Sequence, residues 1–134
     1  MDIEIRFEDN SQKILEELEN KMPEILGAMG NEAYKGIYNF MTEDKVVDTG
    51  RLRGSISYST PYEDYNQPTL ANKGGDFITG NTEKDTVVIG SNVEYASYVN
   101  SGTSKQRARK FIENGIYRVV PQMKDSVEKI LKGD

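Results

Sequence analysis

Two short stretches carry side chains suited to recognition. Asp48-Thr49-Gly50-Arg51-Leu52-Arg53 presents two guanidiniums just after a turn signal. Arginine offers five donors in a planar fork, which matches a carboxylate across an interface or a phosphate in a channel. The same text also reads as a capped turn, in which Thr49 opens a single helical turn from Arg51 to Gly54, Leu52 anchors the core and both arginines lie along the surface. Lys105-Gln106-Arg107-Ala108-Arg109-Lys110 is the dense basic run of the chain and follows Gly102-Thr103-Ser104. It suits three roles: sequence-blind contact with nucleic-acid phosphates, contact with a neighbouring subunit, or a solvated face. A sequence pI of about 4.9 and the lack of aromatics between the bases weigh against the first.

Eight tyrosines add a further recognition element, since tyrosine buries apolar area while keeping a hydroxyl to satisfy. Tyr58, Tyr62 and Tyr65 crowd the start of an irregular stretch and Tyr95 and Tyr98 follow later, which suits partner contact. Tyr34, Tyr38 and Tyr117 fit a core built without tryptophan. The candidates for a subunit or partner interface are therefore Arg51, Arg53, Tyr62, Tyr65, Lys105, Arg107, Arg109 and Lys110.

Catalytic chemistry finds little material. With no cysteine and no histidine, thiolate and imidazole nucleophiles, bases and zinc ligands are excluded. Glu16, Glu17, Glu19, Glu24 and Glu32 adjoin one another along a helix, where such acids mostly face water, and no general-acid partner accompanies them. Nothing has the ligand spacing of a Mg²⁺ site, which also undercuts a hydrolase using Asp48 with a metal. Gly74-Gly75 and Gly102-Thr103-Ser104 lack the strand, glycine-rich loop and helix context, ending in Lys-Ser or Lys-Thr, that cradles phosphate. No catalytic, cofactor-binding or metal-binding residue is assigned.

The elements that must position these residues follow from periodicity. Ile3, Ile5 and Phe7 alternate with charged neighbours, which predicts an N-terminal strand. Asp9, Asn10 and Ser11 supply capping oxygens. Ile14, Leu18, Met22, Ile25, Met29, Ala33, Ile37 and Met41 then recur every three or four residues, predicting a long helix over about 11–42. Pro23 predicts a kink or break near Lys21 to Pro23, with a second segment starting on the proline. Ser55 to Ser59 alternates small polar with large apolar residues and predicts a strand, as does Thr86 to Gly90. Residues 61–85 hold scattered Pro and Gly and predict a long flexible loop or irregular hairpin, a length that is usually functional. Asn92 to Ser101 suits a short helix ended by Gly102. Ile112 to Leu131 predicts a last helix, one kinked at Pro121 in preference to two. The fold class is α+β: two long helices packed on a small, mainly antiparallel sheet, with a long irregular loop.

The 134 residues, 36% hydrophobic and 29% charged, suit a single domain over 1–134 with one modest core. The start lacks the basic, apolar, small-residue order of a signal peptide, and no apolar run approaches the roughly 20 residues of a membrane span, so a soluble, unexported chain is expected. The net charge of −5 is uneven. Residues 1–50 carry 12 acids and 5 bases, whereas residues 101–134 carry 4 acids and 8 bases. Such a chain can pair head to tail with its own copies, or simply hold two differently solvated helices.

Read in order, Val47-Asp48-Thr49-Gly50-Arg51-Leu52-Arg53-Gly54-Ser55-Ile56, Val88-Ile89-Gly90-Ser91, Tyr95-Ala96-Ser97-Tyr98-Val99-Asn100-Ser101-Gly102-Thr103 and Ala108-Arg109-Lys110-Phe111-Ile112 resemble the small tail-component family of tailed bacteriophages and prophages, the gene-product-ten-like neck, head–tail joining or tail-completion proteins. The resemblance covers about residues 10–131. It departs at Asn100 and Ser101, where the family usually has an acid and an aromatic, and at Lys110 and Asn114, where it often has proline. The resemblance implies a non-enzymatic structural protein without cofactor, forming a ring of six copies, with twelve as the alternative. Its partners would be itself and the neighbouring head-connector and tail proteins, and DNA would pass through the lumen without sequence-specific binding. It would assemble in the host cytoplasm and end in the virion neck or tail, with no membrane contact. On this view the 61–85 loop docks on a neighbouring ring. The alternative reading is a small nucleic-acid-binding module acting through residues 105–110.

Overall fold

A computed structural model describes residues 1–6, 12–44, 50–67, 72 and 74–133, and the side chains of these except residues 6, 12–15 and 18. The elements in chain order are β1 (Asp2–Arg6), α1 (Gln12–Glu43), α2 (Arg51–Gly54), β2 (Ser57–Ser59), β3 (Asp64–Tyr65), a one-turn 3-10 helix (Gly74–Asp76), β4 (Thr86–Gly90), α3 (Ala96–Ser101) and α4 (Phe111–Lys132). The four strands form one antiparallel sheet in the order β1-β4-β2-β3. This is the expected α+β class. Phe7, the capping oxygens of Asp9 to Ser11, and Val47 to Thr49 lie outside the described residues, as do the side chains of Ile14 and Leu18.

The apolar stripe of α1 buries Met22, Ile25, Leu26, Met29, Ala33, Ile37 and Met41 against the sheet and α4. From the sheet come Ile56, Tyr58, Val87 and Ile89, and from α4 come Phe111, Ile112 and Met123. Leu52 and Ile56, read as core from the sequence, are 0% and 1% exposed. The two long helices run antiparallel, since Lys21 Nζ donates to the Leu131 carbonyl at one end and Arg118 pairs with Glu43 at 2.7 Å near the other. Between these points the backbones nearly touch. A Cβ on Gly36 would lie 2.1 Å from the Gly115 carbonyl oxygen, and one on Gly115 would lie 2.4 Å from the Ile37 Cα. Only glycine allows this approach on both helices.

Neither proline breaks its helix. α1 is continuous through Pro23 and α4 through Pro121, so no new segment starts at Pro23. Each proline deprives the carbonyl four residues earlier of its donor. Glu19 and Pro23 are both exposed, as are Tyr117 and Pro121, so water can take up the orphaned carbonyl on the outer face of each helix.

The 61–85 segment contains more order than a plain loop. Tyr65 and Asp64 pair with Tyr58 and Ser59 to form a short hairpin. Further on, the chain crosses the back of the sheet, where Phe77 and Ile78 are buried. Ser57 Oγ accepts the Ile78 N–H at 2.8 Å and Ser59 Oγ accepts the Asn81 N–H at 2.9 Å. Asn81 Nδ2 in turn donates to the carbonyls of Ser59 and Thr86. The small polar positions of β2 are therefore not a wet face. They are 0% exposed and leave room for the returning chain while satisfying its backbone. Pro68 to Ala71 and Lys73 lie outside the described residues.

Candidate interaction surface

Arg51 opens α2 directly after Gly50, whose φ of 76° sets the turn. Its guanidinium lies between two carboxylates. Nε and Nη2 donate to Asp76 at 3.1 and 2.8 Å, and Nη1 and Nη2 donate to Glu94 at 2.9 and 3.0 Å. The ring of Tyr95 lies beneath it, with its centroid 5.8 Å from Cζ. These hydrogen bonds raise the Arg51 pKa further above its already high ordinary value. The same bonds from Arg51 hold the Glu94 carboxyl below the usual carboxylate range. The Asp76 side chain is 5% exposed and that of Glu94 71%, so only the first pair is sequestered from water. Arg51 thus joins α2, the 3-10 turn and the start of α3 within one chain. Arg53 is engaged at home too, donating to Thr42 Oγ1 at 3.3 Å and lying 5.3 Å from the Tyr38 ring centroid.

The tyrosines divide differently from their expected roles. Tyr58 is 4% exposed and belongs to the core, not to a partner surface. Its ring stacks on Tyr65 at 5.0 Å, Tyr65 meets Tyr34 edge-on at 5.4 Å, and Tyr34 stacks on Tyr38 at 5.9 Å. This row of four rings ties the β2–β3 hairpin to α1, so Tyr65 is half-buried and structural. Burial, with a contribution from the Glu63 carboxylate, pushes the Tyr58 phenol up to about 12. Burial also raises Tyr34. Tyr117, expected in the core, is 80% exposed because it sits on the outer face of α4. Tyr62 and Tyr98 are exposed, at 53% and 60%.

The basic run is a built turn. Gly102, at φ 80°, ends α3, after which the Thr103 and Gln106 backbones bond each other and Thr103 Oγ1 accepts the N–H groups of Lys105 and Gln106. The Arg109 and Lys110 N–H groups then bond the Val99 and Asn100 carbonyls, laying the chain back along α3. Arg109 is tied to Asp44, through Oδ2 at 3.2 Å and the backbone carbonyl at 2.6 Å. Lys105, Arg107 and Lys110 are exposed and form no ion pair among the described residues. Asn100, 1% exposed, closes the arrangement: its Oδ1 accepts the Ile112 N–H at 3.0 Å and its Nδ2 donates to Glu113 at 2.8 Å. It caps α4 from outside the helix, so the entry to α4 is fixed without proline at Lys110 or Asn114.

Of the eight candidates, Lys105, Arg107 and Lys110 are the exposed members of one turn, and Arg109 in the same turn is held by Asp44. Arg51 and Arg53 lie elsewhere and face their own chain, and Tyr62 stands at the tip of the β2–β3 hairpin. Asp76, Glu94, Asn100, Gly36 and Gly115 escaped the reading of the sequence. Two glycines on apolar helical stripes are a readable sign of close helix approach. An acid that pairs with Arg51 from 25 or 43 positions away leaves no local sign. Among the described residues no group of three carboxylates is placed to hold a metal, and no helix is long and apolar enough to cross a membrane.

A family model described as "Bacteriophage HK97-gp10, putative tail-component" matches residues 5–102. Those residues run from β1 to the end of α3. No curated protein and no solved structure matches the chain.

Proposed function

The chain belongs to the HK97-gp10-like family of phage tail components, and from that premise we propose that it is a non-enzymatic, ring-forming protein of the phage or prophage neck, acting in head–tail joining or tail completion. The match across residues 5–102 carries the reading. The chemistry of the chain agrees with it: Arg51, Asp76, Glu94 and Asn100 serve internal joints, whereas Lys105, Arg107, Lys110, Tyr62 and Tyr98 are presented outward on ordered turns and a short helix. Six copies, or twelve, would stand between the head connector and the tail tube, with DNA passing through without sequence-specific contact. Assembly would take place in the host cytoplasm and leave the protein at the neck or tail of the virion. The β2–β3 hairpin tip at Tyr62 is the part of the 61–85 segment best placed to dock on a neighbouring ring. Interrupting the gene in the genome that encodes the chain should yield filled heads and separate tails. Normal yields of joined, infectious particles from the interrupted genome would end this reading.

A further inference from the structure

Lys105 and Arg107, at the exposed tip of the basic turn, form no ion pair among the described residues. Arg109 holds the turn to Asp44, at the C-terminal end of α1. The exposed acids Glu16 and Glu24 lie in the N-terminal half of that helix, about 42 and 30 Å away at 1.5 Å per residue. Screening confines exposed charges to about 8–10 Å at ordinary ionic strength, so the two surfaces do not feel each other within one copy. The acids also avoid the lysines of α4. Gly27 lies nine residues from Gly36, on the opposite side of the helix, and Gly36 is the position that touches α4. Glu16 and Glu24 flank the Gly27 side, and the Glu63 carboxylate reaches the same place, 3.5 Å from where a Gly27 Cβ would stand. Glu24 and Glu63 thus stand near Gly27, and Glu16 continues the same side of α1 about 12 Å beyond Glu24 toward the N-terminus, so that the three carboxylates line one ridge. None of them forms an ion pair among the described residues, and the exposed Tyr62 adjoins Glu63.

We infer that the basic turn of one copy docks on the acidic ridge of the next: Lys105 and Arg107, with Tyr98 alongside, meet Glu16, Glu24 and Glu63, with Tyr62 alongside. Both surfaces are preorganised, the turn by its Thr103 bonds and the ridge by α1 and the hairpin, so docking orders little that is not already ordered. Because the two surfaces are different and lie well apart along α1, the contact is head to tail. Such a contact repeats from copy to copy and closes into a ring or runs on as a filament. The inference deepens the ring reading and rests on it, by naming the surfaces that join neighbours.

The test uses two full-length variants, Lys105→Glu/Arg107→Glu and Glu16→Lys/Glu24→Lys, with sedimentation velocity at low and high salt. The native chain should associate at low salt and dissociate as salt rises. Each variant alone should associate about 10- to 100-fold more weakly, because like charges now face each other. An equimolar mixture of the two should recover association, since every contact in an alternating assembly is again complementary; recovery also shows that both variants are folded. Variants that associate like the native chain, or a mixture that stays dissociated, would overturn the inference while leaving the ring reading standing on other surfaces. A native chain that remains monomeric at every concentration and salt would also overturn it; the ring reading is judged separately, by whether particles carry the ring. Short duplex DNA that binds the native chain at physiological salt and is lost in the first variant, with self-association unchanged, would assign the turn to nucleic acid instead.

Discussion

Replacing Gly36 with alanine tests the helix crossing on which the body of the protein depends. The new Cβ would sit 2.1 Å from the Gly115 carbonyl oxygen and 2.9 Å from both methyls of Val119, where ordinary contact begins at 3.4 Å. The Val119 side chain can give a little, but the Gly115 oxygen is backbone, so α4 must move away by about 1 Å or more along the contact. Overpacking of this kind costs about 1–3 kcal/mol. Alanine recovers about 0.5–1 kcal/mol through its better helix propensity, which leaves a net loss of about 1–2 kcal/mol. Gly27→Ala supplies the control in the same helix. Its Cβ meets only Glu63 Oε1, at 3.5 Å, so the propensity gain stands alone and the variant should be about 0.5–1 kcal/mol more stable than the native chain. Urea unfolding followed by circular dichroism should therefore place the two alanine variants about 1.5–3 kcal/mol apart, with unchanged slopes. Equal stability of Gly36→Ala and Gly27→Ala would refute the glycine crossing, because only the contact with α4 distinguishes the two positions.

Other joints make separate predictions. Arg51→Ala should destabilise the fold more than Glu94→Ala does, because it removes the bidentate bonds to the buried Asp76 carboxylate whereas the loss of Glu94 removes only an exposed pair; thermal melts of the two variants decide the order. The lowered Glu94 pKa gives a sign in pH: its stabilisation is complete above the ordinary carboxylate range, near 4.5, and is lost as pH falls through its lower folded value, so Glu94→Gln should flatten that acid limb in a stability–pH series. Tyr58 works in the opposite direction. Its folded pKa of about 12 lies above the ordinary 10.0, so its contribution is intact below pH 10 and disappears as pH rises from 10 to 12. Phenolate absorbance should then rise together with loss of ellipticity, and Tyr58→Phe should move alkaline unfolding to higher pH. Asn100→Ala removes the cap on α4 and the bond to Glu113, and should cost about 1–2 kcal/mol by urea unfolding.

Periodicity made the framework legible. β1, α1, β4, α3 and α4 lie within a few residues of where alternation and helical spacing put them, since each buries one face and the burial writes itself into the chain at that period. Pro23 does not break α1 and Pro121 lies within one helix as expected, because a proline's effect depends on which side of the helix it occupies, and both stand on the wet side. The residues 55–59 also carried a second meaning. Ser57 and Ser59 read only as the small polar positions of an alternating strand, yet they receive a segment about 20 positions later. The partners of Arg51 left no local sign for the same reason, since Asp76 and Glu94 reach it only after the chain has folded back. Tyr58 and Tyr117 exchanged roles because a tyrosine's place is set by the face it lands on, not by its neighbours in sequence. The basic turn was legible as a run of charge. Its separation from the acidic ridge along α1 appears only in three dimensions.

Cryo-electron microscopy of particles made by the encoding genome tests the central claim most directly. Density for this fold should appear as a closed ring at the junction of head and tail, in six or twelve copies. Joined particles in which the protein is absent from that junction would contradict a structural role in the neck.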